Sequence, residues 1–406
     1  MTLIFAWRYF KAKKSTNAIN IISWISVLAI AVGSAALIIV LSVFNGFEDL
    51  VKGLYADFYA DVRIAPASNA KFLTLTPAQL QVIKGVNGVT AVSMIAEEKA
   101  VLVNEGLQSI IFLKGVDANY TGVSGLAQHL ISGKFILGET EDPSLVLGAG
   151  VENAVGVSAG TNFLPLTVYL PNRKANSFLL TEALNSYNAS VTGSFALQQE
   201  FDNKYAITNI GFVKYMLDLG ENEFSSAEIK LADLNTTNKA VVELKRLLGA
   251  KYLVQTRYQQ NQSLYSVMQI EKWVIYGILS LILVVAAFNM IGALTMLVLE
   301  KQKDIAVLKA LGANDAYIQR IFLCEGFVIA AIGGGSGIVL AIIVCLIQIK
   351  LKLVKLGGGS FIIDYYPVKM LPADFILVIT TITCIALLAA WIPSRKASMQ
   401  KFTLKS

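Results

Sequence analysis

Cysteine and histidine are nearly missing from this chain of 406 residues, three of the first and one of the second. All three cysteines, Cys324, Cys345 and Cys384, fall in long apolar runs, so whatever lies between those runs has to fold without disulfides, as a domain large enough to bury its own core can. His129 has no cysteine or second histidine to share a metal with, and carboxylates alone are a weak zinc set; it reads as a surface or loop residue. Also absent are a GxxxxGK[ST] phosphate loop and an HExxH helix. The acidic pairs Glu48-Asp49, Glu97-Glu98 and Glu141-Asp142 are sequence neighbours and read as solvated. The expectation is a non-catalytic chain that binds no metal or cofactor, so energy for any work must come from another subunit.

Apolar residues, by contrast, make up 55% of the chain, and the mean hydropathy of +0.60 is too high for a water-soluble protein of this length. Crossing a bilayer takes roughly 20 apolar residues. Four stretches qualify: Ile21–Phe44, Trp273–Leu299, Ile321–Ile349 and Phe375–Pro393. The net charge of +6 does not form a basic stripe with interleaved aromatics, so nucleic acid is not an expected partner. Its lysines and arginines flank the spans instead. Arg8, Lys11, Lys13 and Lys14 precede the first, and Arg395, Lys396, Lys401 and Lys405 follow the fourth, with no acid in either segment. Positive charge is retained on the cytoplasmic side, which places both termini there. Lys350, Lys352, Lys355 and Lys369, in the short loop after the third span, run against that bias.

The expected layout is a basic segment and first span over 1–45, with Ile4, Phe5, Trp7 and Tyr9 available to the interface and the span acting as an uncleaved anchor. A large external α/β domain over 46–270 comes next. Then come the second span at 271–299, a cytoplasmic loop at 300–320, the third span at 321–349, a short external loop at 350–374, the fourth span at 375–393 and a cytoplasmic tail at 394–406. Helical periodicity continues beyond the first span through Phe47, Leu50, Val51, Leu54 and Phe58, and resumes before the second at Leu264, Val267 and Met268, predicting paired stalk helices. Within the domain, strands are predicted separately at Val89–Ile95 and Lys99–Val103, and again at Ser190–Phe195; Ile207–Leu217 is predicted as one helix. Residues 171–190 read as a long excursion between strands, which in a compact domain is either functional or disordered. In the third span Gly333 and Gly337 form a small-xxx-small pair suited to close helix packing, and Glu325 is expected near the surface. The loop Glu300–Asp315 reads as a short amphipathic helix with Ile305, Leu308 and Leu311 on one face. Gly312 stops it, and Asn314 can cap the next helix.

Several of these segments resemble the permease subunits of the lipoprotein-releasing ABC transporter, the LolC and LolE type. The resemblance is carried by Trp7-Arg8-Tyr9-Phe10, Asn20-Ile21-Ile22-Ser23, Leu41-Ser42-Val43-Phe44-Asn45-Gly46-Phe47-Glu48, Leu113-Lys114-Gly115-Val116-Asp117 and Ile392-Pro393-Ser394-Arg395-Lys396-Ala397-Ser398. The segment Glu300–Ala313 is similar to the coupling helix shared with the wider MacB and FtsX superfamily. The resemblance implies four transmembrane helices with a two-lobed, MacB-like periplasmic α/β domain, in the bacterial inner membrane. It implies as partners two copies of an ABC ATPase that holds the ATP and Mg, a second permease, the same or paralogous, a periplasmic carrier, the lipoprotein substrate and membrane lipid. By the same resemblance, Lys303, Asp304, Ile305, Leu308, Leu311 and Gly312 would couple to the ATPase. Val40, Val43, Phe44 and Phe47 would face the acyl chains of the substrate, and Pro171, Asn172, Arg173, Phe178 and Leu179 would belong to a loop that recruits the carrier. Within the superfamily two other functions stay open: a MacB-like exporter of peptides or drugs, and an FtsX-like subunit that signals to an extracellular hydrolase and transports nothing.

Overall fold

The computed structural model describes residues 17–68, 70–159, 165–173, 183–356 and 365–399. It divides into two compact units, one gathering the chain up to Leu50 with Ser266–Leu356 and the part from Tyr365 on, the other Val51–Tyr265.

The first unit is built on helices whose apolar stretches are long enough to cross a membrane: Asn17–Phe58, Gln262–Glu300, Asp315–Leu351 and Pro372–Ser398. Each of the four runs past its predicted span, because the flanking amphipathic residues continue the same helical repeat. Leu37, Ile38 and Leu41 of the first helix, Met290 and Leu294 of the second, Ile329 of the third and Ala390 of the fourth share one buried cluster. The glycine pair works by approach. A Cβ on Gly333 would stand 2.8 Å from the Val27 carbonyl oxygen, and one on Gly337 would strike Ser34 and the Ala31 carbonyl. Third and first helices therefore meet backbone to backbone, which side chains at these positions would prevent. Glu325 departs from expectation: it is 0% exposed. Next to it Gly326 lies so close to Ala390 that a Cβ there would come within 2.5 Å of the Ala390 methyl, and Leu294 stands 3.3 Å away, so neighbouring helices close over this turn.

The second unit contains a ten-stranded sheet in the order β12-β1-β11-β3-β4-β9-β6-β8-β5, with β7 pairing β3 and β8, and a separate ribbon of β2 and β10. The strands are β1 Val62–Pro66, β2 Leu73–Thr74, β3 Val89–Asn104, β4 Leu107–Val116, β5 Leu130–Gly133, β6 Ser144–Gly148, β7 Leu166–Pro171, β8 Leu184–Phe195, β9 Tyr205–Asn209, β10 Glu223–Phe224, β11 Ser226–Leu231 and β12 Tyr252–Thr256. The two strands predicted over 89–103 are one, because Ala96 is buried and the ladder to β4 continues through Glu97 and Glu98. Glu105 and Gly106, with φ of 46° and 94°, close this hairpin as the left-handed pair a two-residue turn of right-twisted strands requires. The predicted helix Ile207–Leu217 is instead β9 followed by the helix Ile210–Leu217. Asn209 divides them, its side chain accepting the Phe212 amide at 2.7 Å.

Two separate apolar clusters back the sheet. The larger one centres on Leu113, Leu147, Val168, Phe212 and Val213. The other packs Val62, Ile229 and Val254 against Ile83 of the helix Pro77–Lys84 and Leu244 of the helix Thr237–Leu248.

Candidate functional site

Three segments carry the predicted roles. The first is the helix Gln302–Ala310 with the turn after it. Ile305, 3% exposed, is packed with Leu297, Val298, Ile318, Phe322 and Ala397, residues of three long helices. Lys309 donates to the Ser398 carbonyl at 2.7 Å and lies 2.9 Å from Asp315, so both turns of the helix are tied down. Lys303 is exposed, and Asp304 pairs with Lys301 at 3.3 Å. The predicted single apolar face splits here: Leu308 is half-buried and Leu311 is 80% exposed. Helical geometry ends at Ala310, and Gly312 at φ 95° turns the chain away, so Leu311 leaves the buried side. Asn314 then caps the next helix, accepting the Tyr317 amide at 2.8 Å. With Val307 at 59% exposure, the result is a short, anchored rod presenting Lys303, Val307 and Leu311 outward. Apolar side chains displayed on a charged, fixed element are suited to contact with another protein.

On the first helix, Val40, Val43, Phe44 and Phe47 are all half-buried, while Leu37, Ile38, Leu41 and Asn45 are buried. The spacing of the four puts them on one stripe. All four side chains are apolar. The third segment is the β7–β8 hairpin. The strand β8 begins at Leu184, so the predicted excursion over 171–190 is shorter than expected: Leu184 to Asn188 already pair with β7 in register, because their alternation matches its own. Pro171 lies opposite Leu184, and the Asn172 amide donates to the Ala183 carbonyl at 2.8 Å. Arg173 sits over the Phe72 ring at 4.9 Å and 3.8 Å from Glu223. Phe178 and Leu179 lie outside the described residues, as do Ile4, Phe5, Trp7 and Tyr9.

Two polar clusters gave no sign in the sequence. Lys114, 1% exposed, places Nζ 2.8 Å from Glu228 Oε1 and 5.0 Å from the ring centres of both Phe58 and Tyr120. Burial pulls the Lys114 ammonium down, but Glu228, Tyr120 and Glu97 outweigh it and hold the group above the ordinary lysine range. In the helical unit, Asn45 donates to Asp374 at 2.5 Å and accepts from Lys272 at 2.7 Å, a contact that joins three helices. Only the separation of the partners along the chain hid them. His129, expected as an ordinary surface residue, is half-buried with Nε2 2.8 Å from Asp57 Oδ2. Among the described residues no three His, Cys, Asp or Glu side chains gather in a metal-binding group.

The sequence profile of the MacB-like periplasmic core domain matches residues 23–247, and that of the FtsX-like permease C-terminal region matches residues 276–401. A lipoprotein-releasing system transmembrane protein LolC of Neisseria meningitidis serogroup B is 28% identical, covering 97% of this chain and 96% of its own. A lipoprotein-releasing system transmembrane protein LolE of Haemophilus influenzae is 25% identical, again over 97% of this chain and 96% of its own. Among solved structures, the periplasmic region of MacB from Actinobacillus actinomycetemcomitans overlaps 53% of this chain and 98% of its own at 12% identity, with a TM-score of 0.36.

Proposed function

Because the chain belongs to the family of the MacB-like periplasmic core domain, which matches more than half of it, we propose that it is a permease subunit of a lipoprotein-releasing ABC transporter in the bacterial inner membrane. The similarity to LolC and LolE proteins over nearly the whole length of each supports this reading over a drug exporter or a signalling subunit. In it both termini are cytoplasmic, the domain over 51–265 is periplasmic, and its two separate cores support a description as two α/β lobes. Two copies of a separate ATPase bind ATP and Mg. A second permease completes the membrane part, and a soluble carrier takes the released lipoprotein, recruited by the loop that the β7–β8 hairpin carries.

The observation that carries the mechanism is the anchored rod at 302–312. A segment meant to transmit a push must be stiff and must show its partner a surface. Ile305 and Lys309 supply the stiffness by engaging the second, third and fourth helices; Val307 and Leu311 supply the surface. Closure of the ATPase pair moves this rod, and the long helices carry the displacement outward. Acyl chains of the substrate pack on Val40, Val43, Phe44 and Phe47, where each buried methylene contributes about 0.8 kcal/mol.

Replacing Val307 and Leu311 together by Asp tests the coupling. The reconstituted complex is expected to lose lipoprotein-stimulated ATP hydrolysis severalfold or more while the helices still assemble, since neither side chain is buried. Unchanged stimulation would remove the coupling role. Mass spectrometry of what copurifies separates the functions: a carrier or lipoprotein supports release, whereas an outer-membrane tunnel or a peptidoglycan hydrolase overturns it.

A further inference from the structure

The turn that succeeds the third long helix is held by one buried side chain. That helix ends at Leu351, and Lys352 then takes the left-handed conformation, φ 49°, its amide donating to the Gln348 carbonyl at 2.9 Å. Gln348 is only 8% exposed, and its amide group is fully engaged. Nε2 donates to the carbonyls of Val354 at 3.0 Å and Tyr366 at 3.2 Å, and Oε1 accepts the Val354 amide at 2.9 Å. The Tyr366 amide in turn donates to the Val354 carbonyl at 3.1 Å. One buried glutamine therefore folds residues 352–355 back and holds them in place.

What this clamped turn displays is unusual for a water-facing surface. Leu351 and Leu353 are each 64% exposed and Val354 57%, with Lys350, Lys352 and Lys355 exposed among them. No carboxylate of the described residues pairs with these three lysines; Asp49 is taken by Lys369 at 2.5 Å, and Asp374 by Asn45 and Lys272. Retention of positive charge on the cytoplasmic side would draw the lysines across the membrane, so their place here calls for a counter-charge at this surface. We propose that residues 350–355 dock on the anionic phospholipid headgroups of the adjoining leaflet, Leu351, Leu353 and Val354 entering the headgroup boundary while Lys350, Lys352 and Lys355 reach the phosphates. A bilayer satisfies both features at once, because the turn starts where a membrane-spanning helix ends and long lysines carry their charge to the interface. The clamp spares the backbone further ordering on docking, so the cost is confined to the side chains, among them Lys352, whose Nζ leaves the Tyr365 ring 4.1 Å away to reach a phosphate. Each lysine beside an anionic surface strengthens binding about fivefold, hence roughly a hundredfold for three. That this leaflet is the outer one rests on the topology of the proposed permease.

The test places a photoreactive side chain at Leu353 of the full chain in nanodiscs containing equal phosphatidylglycerol and phosphatidylcholine. Adducts are then identified by mass spectrometry. Phosphatidylglycerol adducts are expected severalfold above the bulk ratio, falling to it when Lys350, Lys352 and Lys355 are all changed to Gln, and falling likewise in high salt. Adducts at the bulk ratio in the unaltered chain overturn the proposal, as does enrichment that survives the triple change. In native membranes, capture of an acidic protein at this position in place of lipid also overturns it. Labelling of Leu353→Cys by an impermeant thiol reagent in oriented vesicles reads the topology separately. Labelling from the cytoplasmic side would reject the orientation and leave the lipid result standing.

Discussion

Lys114→Met is the perturbation whose consequence the structure determines most directly. Lys114 lies in β4 opposite Glu97 of β3, and its Nζ is 2.8 Å from Glu228 of β11, with the two side chains only 2% and 5% exposed. Removing the cation leaves the Glu228 carboxylate buried without its charge partner. Breaking a buried pair from one side costs about 3–5 kcal/mol. For a domain of 150–250 residues each kcal/mol lowers the melting temperature by roughly 2–4 °C, so the transition of residues 51–265 is expected to fall by roughly 6–20 °C. Glu228→Leu alone costs less, since Glu97 still faces Lys114. The double change of Lys114→Met with Glu228→Leu recovers at least half of the loss, because an apolar pair of similar volume needs no counter-charge. All four tryptophans, Trp7, Trp24, Trp273 and Trp391, lie outside 51–265, so tryptophan fluorescence is blind to this transition. Calorimetry of the detergent-solubilised chain, or near-ultraviolet dichroism of its tyrosines, reads it instead. Single effects that simply add in the double variant would refute the reasoning.

Gly337→Leu drives a side chain into Ser34 and the Ala31 carbonyl and is expected to destabilise the helical unit by about 1–3 kcal/mol or more. Gly335→Ala, with nothing within 4 Å of its added Cβ, should leave it unchanged, and thermal melts followed by tryptophan fluorescence compare the two. Burial pushes the Glu97 carboxyl above the ordinary glutamate range, against the pull of Lys114 and Arg63. A carboxyl whose folded value is raised binds a proton more tightly folded than unfolded, so stability falls as pH rises from about 4.3 through the raised value and is level above it. Glu97→Gln should remove that slope and melt higher at neutral pH, as calorimetry across the pH range will show.

Much of the architecture was legible because it depends on neighbours in the chain. Runs of apolar residues announce the four long helices, alternation announces most strands, and Gly312 and Asn314 punctuate the loop between the second and third helices as their backbone chemistry requires. Legibility failed where a distant partner decides. Nothing local says that β3 runs on through Ala96 and Glu97; the ladder to β4 does. Asn209 could have been read as a cap, but the apolar run across it masked the change from strand to helix. At the candidate site the short amphipathic helix within 300–315 was visible from spacing, whereas the stripe Val40, Val43, Phe44 and Phe47 was singled out only through the family resemblance. The outward turn of Leu311 was not, because it depends on where the helix stops.

By itself, then, the sequence determined the number of long apolar helices and the place of most strands, since composition and short-range periodicity settle these. Tertiary structure decided which charges are buried and what they face. Lys114 and Glu228 are 114 positions apart, and Asn45 and Asp374 are 329 apart, yet each pair is in hydrogen-bonding contact. Whether a lysine or an aspartate is solvated or enclosed depends on packing between remote segments. That information resides in no window of the chain.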